Sequence, residues 1–167
     1  WPEKFPPLTK GILEGVERTN AKLIYADNLY MYGDTKGETI TEISPLHYQG
    51  YNNDAGKCRK GCVRALMANS LLEAHQQSRV RVAIGRASDF YGPGVLNSAL
   101  GVNFFGAVVS GKRANLLGKL ALPHTLTYIK DFANALVTLG EHDQALGQVW
   151  HVPSAPTIAM DEFSELV

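Results

Sequence analysis

The chain has 167 residues, 45% of them hydrophobic, and its 16 lysines and arginines are balanced by 16 aspartates and glutamates. This length is enough for a domain with its own hydrophobic core, and the balanced charge gives no electrostatic reason to expect a nucleic-acid or membrane partner. No apolar run reaches the roughly 18 residues of a membrane span, so we expect a cytoplasmic protein.

The two cysteines, Cys58 and Cys62, lie four residues apart in a predicted helix. This spacing does not predict a disulfide framework and agrees with a reducing cytoplasm. Two thiols without a neighbouring His or a second Cys pair make a poor zinc site, so no metal is expected. We expect both side chains to contribute to packing.

The first half of the chain alternates predicted helices and strands. Pro6 and Pro7 suit the first turn of a helix that carries its apolar residues on one stripe. Residues 33–56 are polar and rich in Gly, Asn and Tyr, which is typical of a long connection that carries function. The predicted elements are a helix to residue 19, a strand at 22–26, a helix at 57–77 and a strand at 79–85.

The second half continues the alternation. Asn97 or Ser98 is a candidate cap for a helix that ends before Gly111, and Asp131 is a candidate cap for a helix that Gly140 closes. Strands that alternate with helices predict parallel β-α-β packing. The predicted elements are a helix to residue 110, a strand at 115–118, a helix at 131–139, a strand at 147–152 and a last helix from about residue 159.

Two of the predicted strands end in similar polar turns. Residues 86–94 read Arg-Ala-Ser-Asp-Phe-Tyr-Gly-Pro-Gly after one apolar strand, and residues 21–34 contain another apolar strand, polar residues and Tyr-Gly. Pro93 fixes φ while Gly92 and Gly94 permit positive φ, so the backbone can pass close to a ligand. A Pro-Gly pair alone is more often a plain turn, but open α/β sheets bind ligands at the carboxyl ends of their strands.

With residues 127–135, which read Thr-Tyr-Ile-Lys-Asp-Phe-Ala-Asn-Ala, these segments resemble the extended short-chain dehydrogenase/reductase superfamily, and within it the NAD-dependent epimerase/dehydratase-like proteins. The resemblance covers nearly the whole chain. It implies an α/β fold: one partial Rossmann-like domain over residues 1–167, with a doubly wound parallel sheet, helices and part of a small substrate-side lobe. It also implies NAD or NADP as the cofactor of the full-length parent.

The Gly-rich turn G-x-x-G-x-x-G, which in this superfamily holds the cofactor pyrophosphate at a helix N-terminus, does not occur in the sequence. The chain also begins at Trp1 without Met and stops at Val167 inside a predicted helix. The resemblance therefore implies a truncated central fragment that lacks the first β-α units and the C-terminal end. We expect such a fragment to bind no cofactor.

The superfamily's chemistry normally uses a Tyr, a Lys four residues later on the same helix face, and a Ser or Thr at the preceding strand. Tyr32 and Lys36 match the spacing but lie in a predicted loop. Aligned on the helix that follows the long connection, the resemblance places Lys60 and Arg64 at the Tyr and Lys positions. Counted back from Tyr32-Gly33, it places Asn28 at the Ser or Thr position. Asn can still bond a carbonyl and Arg can still grip ribose hydroxyls, whereas a solvated surface lysine is the alternative for Lys60.

The resemblance also assigns residues around the strand ends to ligands. For Tyr30, Tyr91 and His124 a structural role is the alternative. Tyrosines at strand ends are often packing residues, and a lone His is more often structural. The assigned cofactor-binding residues are Ala26, Asp27, Arg64, Tyr91, Gly92 and Pro93, and the assigned substrate residues are Tyr30, Ser88, Asp89 and His124.

The start of the second predicted helix, residues 57–64, carries four basic side chains. Cations at a helix N-terminus oppose its macrodipole, so this cluster either faces a phosphate or carboxylate or is simply solvated.

Two functions remain open from the sequence. The first is an NAD(P)-dependent epimerase/dehydratase-like oxidoreductase that acts on a small carbonyl compound or nucleotide sugar with atypical catalytic residues. The second is a non-enzymatic remnant that serves as a self-associating or regulatory binding module. Apolar stripes at residues 8–16 and 63–74 occupy positions that relatives use for a four-helix interface, so we also expect a homodimer.

Overall fold

The computed structural model describes residues 3–46, 60–116 and 118–167. The chain divides into two compact units: Trp1–Arg86 with Leu136–His151, and Ala87–Ala135 with Val152–Val167. Within the described residues, no helix combines the length and the apolar character that a membrane crossing requires.

The first unit is built on a parallel three-stranded sheet. Its strands β1 (Lys22–Asp27), β2 (Arg81–Arg86) and β6 (Val149–His151) lie in the order β1-β2-β6. The predicted parallel pairing of the first two strands is confirmed, with Lys22 opposite Arg81 and Asp27 opposite Arg86. Helices α1 (Phe5–Thr19) and α2 (described from Lys60 to Gln76) complete the unit. The predicted α/β fold with a parallel sheet is therefore confirmed.

The core of this unit lies between the sheet and the two helices. Leu13 of α1, Leu71 of α2 and Val82 and Ile84 of β2 form one buried cluster. Burying an aliphatic side chain of this size contributes about 1.5–3 kcal/mol. The helix stripes that supported the homodimer thus pack largely within one subunit, and the homodimer stays a prediction.

Strand β2 begins two residues later than the sequence predicts. Helix α2 ends at Gln76, Ser78 adopts a left-handed conformation, and the Arg79 N–H donates to the carbonyl of Ala74. This hydrogen bond makes Arg79 part of the helix C-terminal turn. The predicted strand at 147–152 is likewise shorter, because Gly147 turns the backbone at a φ of 77°.

The described residues of the second unit form two small sheets. Strand β3 (Asp89–Tyr91) pairs in parallel with β5 (Leu126–Tyr128), and β4 (Pro123–His124) pairs antiparallel with β7 (Ile158–Ala159). A π-helical segment, Gly101–Gly106, continues into the short helix α3, Ala107–Val109. Leu100, Phe104, Leu126 and Met160 form its core. Helix α5 (Met160–Glu165) also belongs to this unit, whereas α4 (Ile129–Glu141) begins in it and ends in the first unit.

Several predicted boundaries in the second half are wrong. The helix expected from Asn97 or Ser98 starts only at Gly101, because the Val102 N–H bonds back to the carbonyl of Leu96 and closes a turn first. Asp131 lies in the first turn of α4 instead of capping it, and Gly140 lies inside that helix. Residues 115, 116 and 118 form no strand, and residue 117 lies outside the described part of the chain.

Candidate functional site

The three parallel strands of the first unit each end in a polar side chain. Asp27 ends β1, Arg86 ends β2 and His151 ends β6, and the register places Asp27 opposite Arg86 and Arg86 opposite His151. Carboxyl ends of parallel strands form the edge at which open α/β sheets bind ligands. These three charged or titratable groups along the edge are the basis of the candidate site. We call them, together with Tyr32 and Glu42, which contact them, the strand-end row.

Two arginines hold the carboxylate of Asp27. Its Oδ2 accepts a hydrogen bond from Nε of Arg86 at 3.3 Å, and its Oδ1 lies 3.4 Å from Nη1 of Arg64. The Asp27 side chain is 0% exposed, and the side chains of Arg86 and Arg64 are 2% and 13% exposed. Burial raises the pKa of Asp27, against the backbone hydrogen bond from Asn28 and the charges of the two arginines. A buried carboxylate needs such partners to be tolerated at all.

The row continues through Tyr32, which lies in a single 3₁₀ turn, Tyr30–Tyr32, after β1. Nη1 of Arg86 donates to the Tyr32 hydroxyl at 2.7 Å, and that hydroxyl lies 2.8 Å from Nε2 of His151. Because a guanidinium only donates, the Tyr32 oxygen accepts from Arg86. A neutral His151 with its proton on Nδ1 can then accept the Tyr32 proton at Nε2. Burial lowers the pKa of His151 and raises that of Tyr32.

Glu42 closes the far end of the row. Its Oε1 accepts a hydrogen bond from the backbone N–H of His151 at 2.9 Å, and this bond is the main reason that the pKa of Glu42 lies below its usual range. The loop after the Tyr30–Tyr32 turn is thus tied to the last strand of the sheet. Rigid support of this kind is what a functional loop requires.

The predicted catalytic residues Asn28 and Lys60 flank the turn after β1. Asn28 lies directly after Asp27, and its Oδ1 accepts the N–H of Tyr30 at 3.0 Å, while Lys60 is exposed at the start of the described part of α2. Gly61 allows the helix to approach this turn closely, since a Cβ there would overlap the carbonyl oxygen of Tyr30. The fold therefore brings the helix start and the Asn28 turn together.

Arg64, the third predicted catalytic residue, has a structural partner set that the sequence did not reveal. Besides Asp27, its Nη1 lies 3.4 Å from the hydroxyl of Tyr25, and its guanidinium lies 5.2 Å from the ring centre of Phe5. These contacts hold the side chain against α1 and the strand end. They fix Arg64 in place, and its predicted grip on a cofactor ribose stays a prediction.

The predicted ligand residues are divided between the two units. Ala26, Asp27, Tyr30 and Arg64 belong to the first unit, where Ala26 and Tyr30 are exposed. In the second unit, Asp89 and His124 are hydrogen-bonded, with Oδ2 and Nε2 2.9 Å apart. The other predicted ligand-binding residues of the second unit are half-buried or exposed: Ser88, Tyr91, Gly92 and Pro93.

Sequence reasoning missed the roles of Arg86, Tyr32 and His151. In the sequence, Arg86 stands out only as the start of a turn motif. The available signal was position, since Asp27, Arg86 and His151 each follow an apolar run that ends a strand. Three residues at the predicted start of the second helix lie outside the described residues: Lys57, Cys58 and Arg59. Cys62 is buried.

A parallel sheet flanked by helices, with charged groups collected at the carboxyl ends of its strands, defines a Rossmann-like α/β protein. The sequence matches the NAD dependent epimerase/dehydratase family over residues 8–152. The chain therefore belongs to this family, and the predicted resemblance is confirmed. No curated protein is similar enough in sequence to count as a match.

Solved structures share the fold at low sequence identity. The double mutant of DesIV, a dTDP-glucose 4,6-dehydratase from Streptomyces venezuelae with NAD and DAU bound, has a TM-score of 0.78 and 15% identity over 99% of this chain and 49% of that chain. The dTDP-glucose 4,6-dehydratase from Bacillus anthracis in complex with NAD has a TM-score of 0.75 and 20% identity over 94% and 48%.

An epimerase is similar to the same extent. The UDP-N-acetylglucosamine 4-epimerase from Methanobrevibacter ruminantium in complex with UDP-N-acetylmuramic acid has a TM-score of 0.77 and 16% identity over 95% of this chain and 49% of that chain. The present chain thus spans about half the length of these proteins.

Proposed function

We propose that the chain forms part of an NAD(P)-dependent oxidoreductase that acts on a small carbonyl compound or nucleotide sugar, with Asn28, Lys60 and Arg64 at the catalytic positions. The observation that carries this proposal is the close approach at Gly61, which sets the start of α2 against the turn after Asn28. Family membership and the NAD-bound neighbours support it.

The residues at this edge fit the nicotinamide-ribose end of a dinucleotide. Ribose hydroxyls need hydrogen-bonding groups near the strand ends, and the guanidinium of Arg64 is a donor of that kind. When bound, NAD(P) supplies the hydride donor or acceptor. Ala26, two residues before Asn28, is exposed. The pyrophosphate has no Gly-rich turn to hold it in the printed sequence.

Each residue then has a distinct task. Asn28 hydrogen-bonds the substrate oxygen through its side-chain amide, and Lys60 delivers or removes the proton at that oxygen. Arg64, already fixed by Asp27, would hold the ribose of the bound cofactor. Asp27 is a positioning residue, because it acts only through the two arginines.

Kinetics of the complete gene product with NAD(P) test this assignment. Proton transfer by a positioned group contributes about 10²–10⁴-fold, so Lys60→Met should lower kcat by at least about 10²-fold with a smaller change in KM. Lys10→Met, at an exposed position on α1, is the matched control. Unchanged kcat in Lys60→Met would refute its catalytic role.

The double substitution Lys60→Tyr with Arg64→Lys is a second test. It restores the residue types that the resemblance implies, so turnover should rise if the alignment of α2 is right. Unchanged turnover with cofactor still bound would show that this alignment is wrong.

The homodimer is proposed separately, and sedimentation that shows a monomer at tens of micromolar would count against it.

The proposed location is the cytoplasm.

The alternative is a non-enzymatic binding module. It replaces the oxidoreductase if the complete gene product turns over none of the carbonyl compounds or nucleotide sugars offered but still self-associates.

A further inference from the structure

The turn Tyr30–Tyr32 contacts Asn28 and the helix that carries Lys60, in both cases through the backbone of Tyr30. The N–H of Tyr30 donates to Oδ1 of Asn28 at 3.0 Å, which holds that side chain against the turn. The carbonyl oxygen of Tyr30 lies so close to Gly61, the residue after Lys60, that a Cβ there would overlap it. A displacement of this turn would therefore move Asn28 relative to the start of α2.

The side chain of Tyr32 fixes this turn in two ways. Its ring is 1% exposed and forms a small buried cluster with Met31 and with Ala65 of α2. Its hydroxyl accepts from Nη1 of Arg86 at 2.7 Å and lies 2.8 Å from Nε2 of His151, at the ends of β2 and β6. Arg stays charged at all ordinary pH values, whereas His changes its charge near neutrality. Of these contacts, the one with His151 is therefore the one that mild acid can alter.

Protonation of His151 would reverse its hydrogen bond to Tyr32. The neutral ring can accept the hydroxyl proton at Nε2, whereas the imidazolium can only donate. Two cations, Arg86 and the imidazolium, would then direct N–H groups at one oxygen, and the hydroxyl proton would lose its acceptor. Burial lowers the pKa of His151, the charge of Glu42 opposes this shift and the charge of Arg86 adds to it. Within the described residues, the titratable and charged groups that face His151 are thus Tyr32, Arg86 and Glu42.

We propose that Tyr32 and His151 are positioning residues for the proposed reaction, and that they hold Asn28 against the start of α2 only while the imidazole is neutral. This inference rests on the proposed function, which places Asn28 and Lys60 at the catalytic positions. Both positioning residues act through the turn after β1. A misplacement of about 1 Å can slow a reaction about 10²-fold, so a small shift of this turn is enough to lower kcat. The expected enzyme loses kcat in mild acid, with a smaller change in KM.

The pH profile of kcat, measured on the complete gene product with NAD(P), tests the proposal. The Gln side chain can accept from Tyr32 but does not titrate, so His151→Gln should keep kcat within about two-fold at about pH 7 and lose less of it than wild type towards about pH 5. His151→Leu offers no acceptor and should lower kcat at least about ten-fold at both pH values. Tyr32→Phe keeps the packed ring, should do the same, and replaces His151→Leu if that variant fails to fold. His142→Gln, at an exposed position, is the matched control and should follow the wild-type profile.

NMR signals of the Asn28 side-chain amide, assigned with Asn28→Asp, report the same coupling without turnover. In the wild-type protein they should shift as the pH falls from about 7 to about 5, and in His151→Gln they should shift much less. Equal amide shifts in the two proteins, or parallel kcat profiles, overturn the inference. Absence of NAD(P)-dependent turnover with an amide shift that depends on His151 refutes the proposed function alone. Turnover without any difference between wild type and His151→Gln refutes the positioning role alone.

Discussion

The hydroxyl of Tyr32 lies 2.8 Å from Nε2 of His151, and this hydrogen bond joins positions 119 residues apart. Through Arg86, which donates to the same hydroxyl, it links the turn after β1 to the ends of β2 and β6. The turn that carries Tyr30 is thereby anchored across the whole described width of the sheet. This anchoring is what holds Asn28 and the start of α2 in one place.

Removing the Tyr32 hydroxyl should destabilise the protein. Tyr32→Phe leaves Nη1 of the buried Arg86 and Nε2 of His151 without this partner, at a cost of about 1–3 kcal/mol in the free energy of unfolding. Urea denaturation measures the change. Tyr30→Phe, at a neighbouring residue that is 52% exposed, is the control and should have little effect. Similar losses in both variants would contradict the role of the row.

Acid should weaken the row through His151. Burial is the main cause that lowers its pKa below 6.5, Glu42 opposes the shift and Arg86 adds to it. Above about pH 6.5 both the folded and the unfolded chain hold neutral His151, and its contribution to stability is complete. As the pH falls from 6.5 towards the lower folded pKa, the unfolded chain takes up the proton first, and stability is lost. Below the folded value the imidazolium can no longer accept from Tyr32.

Denaturation of His151→Gln at several pH values isolates this effect. The Gln carbonyl accepts from Tyr32 but does not titrate, so the variant should lose less stability than the wild-type protein between about pH 7 and about pH 5. His142→Gln, at an exposed position, should follow the wild-type curve. Parallel curves for wild type and His151→Gln would show that His151 does not titrate in this range.

Removing the Asp27 carboxyl group should be among the most damaging single changes. Asp27→Ala leaves the buried Arg86 and the partly buried Arg64 without their shared acceptor, and breaking a buried ion pair from one side costs about 3–5 kcal/mol. Denaturant unfolding measures this loss. Glu17→Gln breaks an exposed ion pair with Arg79 and serves as the control, with only a small effect expected. A loss for Asp27→Ala no larger than the control's would mean that the arginines find other partners.

A methyl group at Gly61 should move α2 away from the turn after β1. Its Cβ would overlap the Tyr30 carbonyl oxygen, which is backbone and cannot swing aside. We expect Gly61→Ala to lower both stability and kcat. Gly15→Ala in α1 meets nothing within 4 Å and should stabilise the protein by up to about 1 kcal/mol, because Ala favours a helix. Opposite signs for the two substitutions are the expected outcome, and a stabilising Gly61→Ala would contradict the close approach.

The 167-residue chain by itself should bind NAD(P)H weakly. Its sequence offers no Gly-rich turn for the pyrophosphate, so most of the anchoring donors are missing. Titration by calorimetry or cofactor fluorescence measures the affinity. A Kd tighter than roughly 10 μM, which corresponds to about 7 kcal/mol, would refute this prediction.

The sequence by itself determined the class of fold and the positions of its main elements. Apolar runs at β1 and β2 and the amphipathic stripe of α1 are local patterns, and each predicts its element within a few residues. Boundaries failed where a hydrogen bond overrode the pattern, as at Arg79 and Val102. Such bonds depend on a left-handed residue or a tight turn that local composition does not specify.

Only the tertiary structure decided which of the polar residues act together. Asp27 and Arg86 are 59 residues apart, and Tyr32 and His151 are 119 apart, yet strand register makes them one row. The tertiary structure also places the buried Asp27 beside Arg64 and brings Asp89 into hydrogen-bond distance of His124. The physical reason is that a strand's apolar pattern fixes which face is buried, whereas the register of its pairing depends on the packing of the whole core.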